Sequence, residues 1–223
     1  MRSLSSPRWW LAPALLVVAA CFGDAGSPDT TLPADLDPVG VVGALFAAID
    51  EGRFDDTTAL TDVEQASLVS LAEGADASEI VGGLEEDADA VAANFWSGFA
   101  QTLDADFDPD GVALEAGERI ELEGRTWVPV TVRGVTDTDR IFYLRNDEGW
   151  KIDLMATFGH ILAERLVPRV EALLSSANTN AATIIGLLRE SAPSLQVAAQ
   201  HPDLDLATHQ ALLALLERVT RAS

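Results

Sequence analysis

The chain predicts an α+β domain: N-terminal helices, an antiparallel four-stranded meander over about 117–155, and a C-terminal helical extension. Three observations lead there. Apolar residues recur at helical spacing from 39 to about 103, and the period drops to two between Arg119 and Leu154. Helical spacing then returns from Phe158 to Val219.

Val42, Leu45, Phe46 and Ile49 place a first helix over Val39–Glu51, with Asp37 as cap, Pro38 in the first turn and Gly52 as stop. A second runs over Thr57–Gly74 on Leu60, Val63, Leu68 and Leu71. Ser78 to about Leu103 holds one or two more, with Ile80, Leu84, Val91, Phe95, Trp96, Phe99 and Leu103 as the apolar side and Gly82-Gly83 as the break. Strands follow over Arg119–Glu123, Thr126–Val132, Asp139–Arg145 and Trp150–Leu154, turning at Gly124 and at Asn146-Asp147-Glu148-Gly149. Pro129 marks the second strand as an edge or a bulge, because proline has no N–H for the ladder. In the tail, Phe158, Ile161, Leu162, Leu166, Val170, Leu173 and Leu174 fit one helix kinked or interrupted at Pro168. Ala181–Glu190 makes another, and Leu206–Val219 a last, leucine-rich one.

The N-terminus reads as an export signal occupying residues 1–20. Arg2 and Arg8 precede an apolar run from Leu11 to Ala20, too short to span a bilayer as a helix. The run closes on Val18-Ala19-Ala20-Cys21, which holds the only cysteine. That tetrapeptide resembles the bacterial lipobox. The resemblance implies cleavage before Cys21 and a diacylglycerol thioether on its sulfur, which with further acylation gives stable membrane anchoring. Residues 22–38 are rich in Pro, Asp, Gly and Thr and read as a flexible tether, so 21–38 is the lipidated cysteine and its linker. The α+β domain is expected over 39–157 and the helical extension over 158–223.

Without residues 1–20 the chain carries 36 acids and 12 bases, a net charge of −24. Such a domain is a poor ligand for nucleic-acid phosphate and is repelled by anionic headgroups, so the lipid is the expected attachment. The charge is uneven. Residues 22–118 hold 23 acids and one base, Arg53, whereas 119–223 hold 13 acids and 11 bases. Once Cys21 is acylated no thiol remains, which excludes disulfides and cysteine metal sites.

A helix-rich first part followed by a meander ending in Gly149-Trp150-Lys151-Ile152-Asp153 resembles the NTF2-like (cystatin-like) cone. Phe46–Phe54 (FAAIDEGRF) is similar to that family's opening helix and turn. The resemblance covers about 39–157, and the chain departs from it in a more helical middle and in the tail after Phe158. It implies a helix packed into a curved sheet. In enzymes of that family an apolar pocket holds an aspartate or histidine base beside a tyrosine or aspartate donor. The matching pocket wall here would be Trp127, Tyr143 and Trp150. Asp153 is the only acid in the last strand and alternates with the inward set, so it is expected to point away from Trp150 and Ile152. No catalytic residue is assigned. Nucleophile-elbow, phosphate-loop and dinucleotide patterns are absent from the sequence.

The other constellation is Asp104, Asp106, Asp108 and Asp110, with Glu115 beyond. Alternate aspartates before a glycine can supply the oxygen ligands of a calcium ion. Counted from Asp106, position twelve is Gly117; counted from Asp104, Glu115 falls on it but Pro109 replaces the turn glycine. A solvated acidic turn is therefore the ordinary expectation. His160, His201 and His209 have no metal-ligand spacing, and His160 is expected at a surface. The expectation is an exported lipoprotein, held to the cell membrane by the lipid on Cys21, that binds or scaffolds without chemistry of its own. The alternatives are a small-ligand carrier or enzyme using the cone, and a calcium-dependent interaction module. Its partner would be an envelope protein or a small ligand.

Overall fold

The computed structural model describes residues 35–106, 114–132, 135–146, 148–176 and 178–221. Helices flank a single antiparallel sheet in sequence, so the structure is α+β. The first helix, α1 (Pro38–Asp50), starts where Asp37 Oδ1 accepts from the Gly40 N–H at 2.7 Å and Pro38 fills the first turn. A 3₁₀ helix (Phe54–Leu60) leads to α2 (Val63–Glu73). The two are separate because Asp62 caps α2, accepting from the Glu64 and Gln65 N–H groups. The single helix expected over 57–74 is thus two. Then come α3 (Ala77–Glu86), opened by an Asp76–Glu79 capping box, and α4 (Ala88–Asp106). The break between them falls at Asp87, not at Gly82-Gly83, which stay helical.

The sheet has β1 (Leu114–Ala116), β2 (Ile120–Leu122), β3 (Arg125–Val132), β4 (Val135–Asn146) and β5 (Trp150–Ile152). Its order is β1-β3-β4-β5, and β2 also pairs with β3, so β1 and β2 share one edge of β3 end to end. β1 is additional to the expected four strands. Pro129 sits at the gap between β1 and β2, where the β3–β4 register shifts between Pro129 and Val130. It marks a bulge and not an edge. Its carbonyl accepts from the Gly117 N–H at 2.8 Å, and a Cβ on Gly117 would meet that oxygen at 2.9 Å. Only glycine fits so close to the bulged strand.

Val128, Val130, Phe142, Leu144 and Ile152 are buried on the inner face of the sheet. α1 lies against that face, with Phe46 edge-on to Phe142 at 5.6 Å between ring centroids. Trp96 of α4 is fully buried and donates its indole N–H to Thr61 Oγ1 at 2.8 Å. Phe95, Phe99, Phe142 and Phe158 surround its ring. The aromatic cluster therefore fills the space that an open cone would leave.

The chain leaves the sheet into α5 (Leu154–Ser175), which continues through Pro168, then α6 (Ala181–Glu190), α7 (Ala192–Ala199) and α8 (Leu206–Arg221). Pro193, expected only as punctuation, occupies the first turn of α7, where its missing N–H costs nothing. α5 packs on α2, α7 and α8, and the tail shares one apolar cluster with the sheet. At the α5–α7 contact a Cβ on Gly159 would lie 2.8 Å from the Ala198 Cβ. Alanine normally favours a helix over glycine by up to about 1 kcal/mol. Here overpacking should win, and Gly159→Ala should destabilise by about 1–3 kcal/mol in denaturant titrations. A more stable variant would show that the two helices are not so tightly apposed.

Candidate functional site

The residues singled out from the sequence divide between the two faces of the sheet. Cross-strand pairing puts Trp127 opposite Tyr143, with their rings T-shaped at 5.5 Å, on the outward face. Asn146 pairs with Trp150 and Leu144 with Ile152, so alternation places Trp150 on the inner side. Trp150 packs partly against the core and receives the Arg119 guanidinium over its ring at 5.7 Å. Trp127, Tyr143 and Trp150 therefore do not wall one pocket. Period-two alternation was visible in the sequence; its phase across the β3–β4 bulge was not.

Of the proposed calcium ligands, Asp104 and Asp106 lie in the last turns of α4, and Glu115 is exposed in β1. Asp108 and Asp110 lie outside the described residues, as does Cys21. Among the described residues no group of three or more metal-ligating side chains is assembled.

The structure also assembles a polar network that sequence reasoning missed. Asp153 is not an outward strand residue but the N-cap of α5, only 8% exposed. Its Oδ1 accepts from the Ala156 N–H at 2.9 Å, and its Oδ2 accepts from the Ser194 hydroxyl at 2.7 Å. Gln65 completes the set, accepting from the Met155 N–H and donating to Ser194 Oγ. Burial raises the Asp153 pKa, while the Ala156, Ser194 and Gln65 hydrogen bonds and the Arg145 charge oppose the rise. Ser194 is nearly buried and its hydroxyl is committed to a carboxylate, so the network braces β5, α5, α2 and α7 without making a nucleophile. An Asp before an apolar helical run was the one available signal, masked by the strand pattern that precedes it.

Beside this network Arg145 donates to Asp62 at 2.7 Å, and the Glu64 carboxyl hydrogen-bonds that of Glu190. That bond, then burial and the Glu190 and Asp62 charges, push Glu64 up to about 7, with Arg145 opposing. A second titratable pair joins α5 to the turn after α7. His160 and His201 stack at 3.6 Å with their rings 15° from parallel. His160 is thus not the surface side chain expected. Burial, then the His201 charge, lower it to about 4, against the pull of Asp203. Elsewhere an open cleft of about 310 Å³ separates α2, α3 and α4, lined by Ser67, Ser70, Glu79, Glu86, Asp87 and Asn94 among others.

No family model, curated protein or solved structure matches the chain.

The two pairs bend the pH–stability profile in opposite directions. Folded Glu64 holds its proton up to about pH 7, against an ordinary 4.5, so folding binds protons and its contribution is lost as pH rises through that window. Folded His160 refuses a proton down to about pH 4, against 6.5, so its contribution is lost as pH falls from 6.5 toward 4. Glu64→Gln should therefore lose less melting temperature than wild type between about pH 4.5 and 7. His160→Phe should lose less between about pH 6.5 and 4. Parallel profiles for all three proteins would contradict both assignments.

Proposed function

We propose that the chain is an exported lipoprotein held to the cell membrane by acyl chains on Cys21, with an α+β domain that binds or scaffolds in the cell envelope. The observation that carries this reading is the position of the single cysteine. It directly follows Val18-Ala19-Ala20 at the end of a short apolar run with two arginines before it. Two structural features favour binding over catalysis. Aromatic side chains occupy the inner face of the sheet, and the buried carboxylate of Asp153 is spent on capping a helix. The chemistry left on the outside is that of surfaces.

The described helices include none long and apolar enough to cross a membrane, and the proposal needs none. Expressed in a bacterium, the protein should partition with membranes, and its N-terminal peptide should begin at Cys21 with the mass of a diacylglyceryl group and further acylation. Cys21→Ala should abolish the modification and release the chain from the membrane fraction. An unmodified Cys21 in a membrane-bound chain would overturn the proposal.

A further inference from the structure

We propose that the outward face of the sheet is a lipid-docking surface, which lies flat on the anionic bilayer to which the chain is tethered. The proposal rests on the lipid-anchor reading for its occupant, and on the sheet for its chemistry. Ile120 and Leu122, 41% and 56% exposed, stand on β2 and pair with Trp127 and Arg125 of β3, so all four share the outward side. Tyr143 joins them through its pairing with Trp127. Lys151, opposite Arg145, adds an exposed ammonium to the same face.

Two exposed aliphatic residues, a half-buried Trp–Tyr pair and two cations form the amphipathic mixture that suits the boundary between headgroups and acyl chains. Indole and phenol rings place an apolar body in lipid and a polar tip in water, and arginine and lysine reach phosphate. Among the described strand side chains that share this face, Glu115 is the only carboxylate, at the far end of the sheet opposite Thr131.

Charge selects the face. Residues 22–118 carry 23 acids and a single base, so the helices they build are repelled by an anionic surface. Repulsion of the helical side and attraction of the sheet both turn the domain the same way. The chain from Cys21 to Asp35 permits it, since 14 residues reach at most about 45–50 Å. That exceeds the radius of gyration of about 16 Å expected for a domain of this size. A second copy of the chain would bring its own large negative charge to the interface, whereas a bilayer brings the complementary phosphate.

The test uses the acylated full-length mature protein in phosphatidylcholine–phosphatidylglycerol vesicles with brominated acyl chains, reading tryptophan quenching. Trp96 is buried in the core and Trp150 lies on the inner side, so Trp127 is the reporter. Quenching is expected in anionic vesicles, lost in Trp127→Phe and weakened in Arg125→Glu/Lys151→Glu and at high salt. Arg125 also donates to Gln200 Oε1 at 3.1 Å, so thermal melts of both variants confirm the fold, and Lys151→Glu alone, at an exposed position away from that contact, should also weaken quenching. No quenching, or quenching that persists in Trp127→Phe, overturns the proposal. So does cross-linking of two copies through β2 with no lipid quenching, which would make a second copy the occupant. If Cys21 proves unmodified, its thiol is coupled to a maleimide lipid and the same quenching is read. Docking then succeeds or fails independently of the natural anchor.

Discussion

The position of Trp96 constrains most of this structure. Its indole is completely buried, its one polar atom is satisfied by Thr61, and its ring touches side chains from α4, α5 and β4. A buried indole N–H without an acceptor would cost about 1–3 kcal/mol, so Thr61 ties the aromatic cluster to the segment between the 3₁₀ helix and α2. Thr61 also bridges to Ile152, which connects that segment to the edge of the sheet. One residue thus joins the N-terminal helices, the sheet and the tail, and the rings around it occupy the inner face beside Phe142.

Outside the aromatic core, charge divides the surface into two characters. The N-terminal helices are strongly acidic, with Arg53 as the single base of that half and Arg145 and Arg165 reaching Asp62 and Glu73 from the other. Arg53 is already engaged by Glu51 and Asp56. Residues 119–223 contain eleven bases, and the outward strand side chains around β2 and β5 are apolar, aromatic and cationic, with Glu115 at the far end. A domain of net charge −24 would be expected to leave an anionic surface. Resolved into faces, that charge would instead orient the domain. On the proposed lipid anchor, the distribution of charge would decide which side faces the membrane.

Much of the fold was legible because it is local. α1, α6 and α8 follow from apolar spacing, α1 also from Asp37 and Pro38 at its start. The turns at Gly124 and Gly149, with φ of 75° and 134°, follow from glycine's freedom in the left-handed region. What was not legible depends on partners distant in sequence. Gly82-Gly83 stays helical inside α3, while the chain breaks at Asp87, whose carboxylate accepts from the Ala90 N–H. Asp153 looked like a strand residue, yet Ser194 and Gln65, 41 and 88 positions away in sequence, bury it as a cap. His160 looked exposed until the turn after α7 brought His201 onto its ring. Of the candidate pocket, the Trp127–Tyr143 pair survives as a contact and Trp150 does not, because alternation sets which face each takes.

Trp96 is packed in the core and Trp127 lies half-buried on the outer face, and acrylamide quenching of single-tryptophan chains reads that difference directly. With the other tryptophans changed to phenylalanine, a chain retaining Trp96 should emit at short wavelength and resist quenching. A chain retaining Trp127 should emit further to the red and be readily quenched. Equal quenching of Trp96 and Trp127 would contradict the filled inner face, and with it the assignment of binding to the outer one.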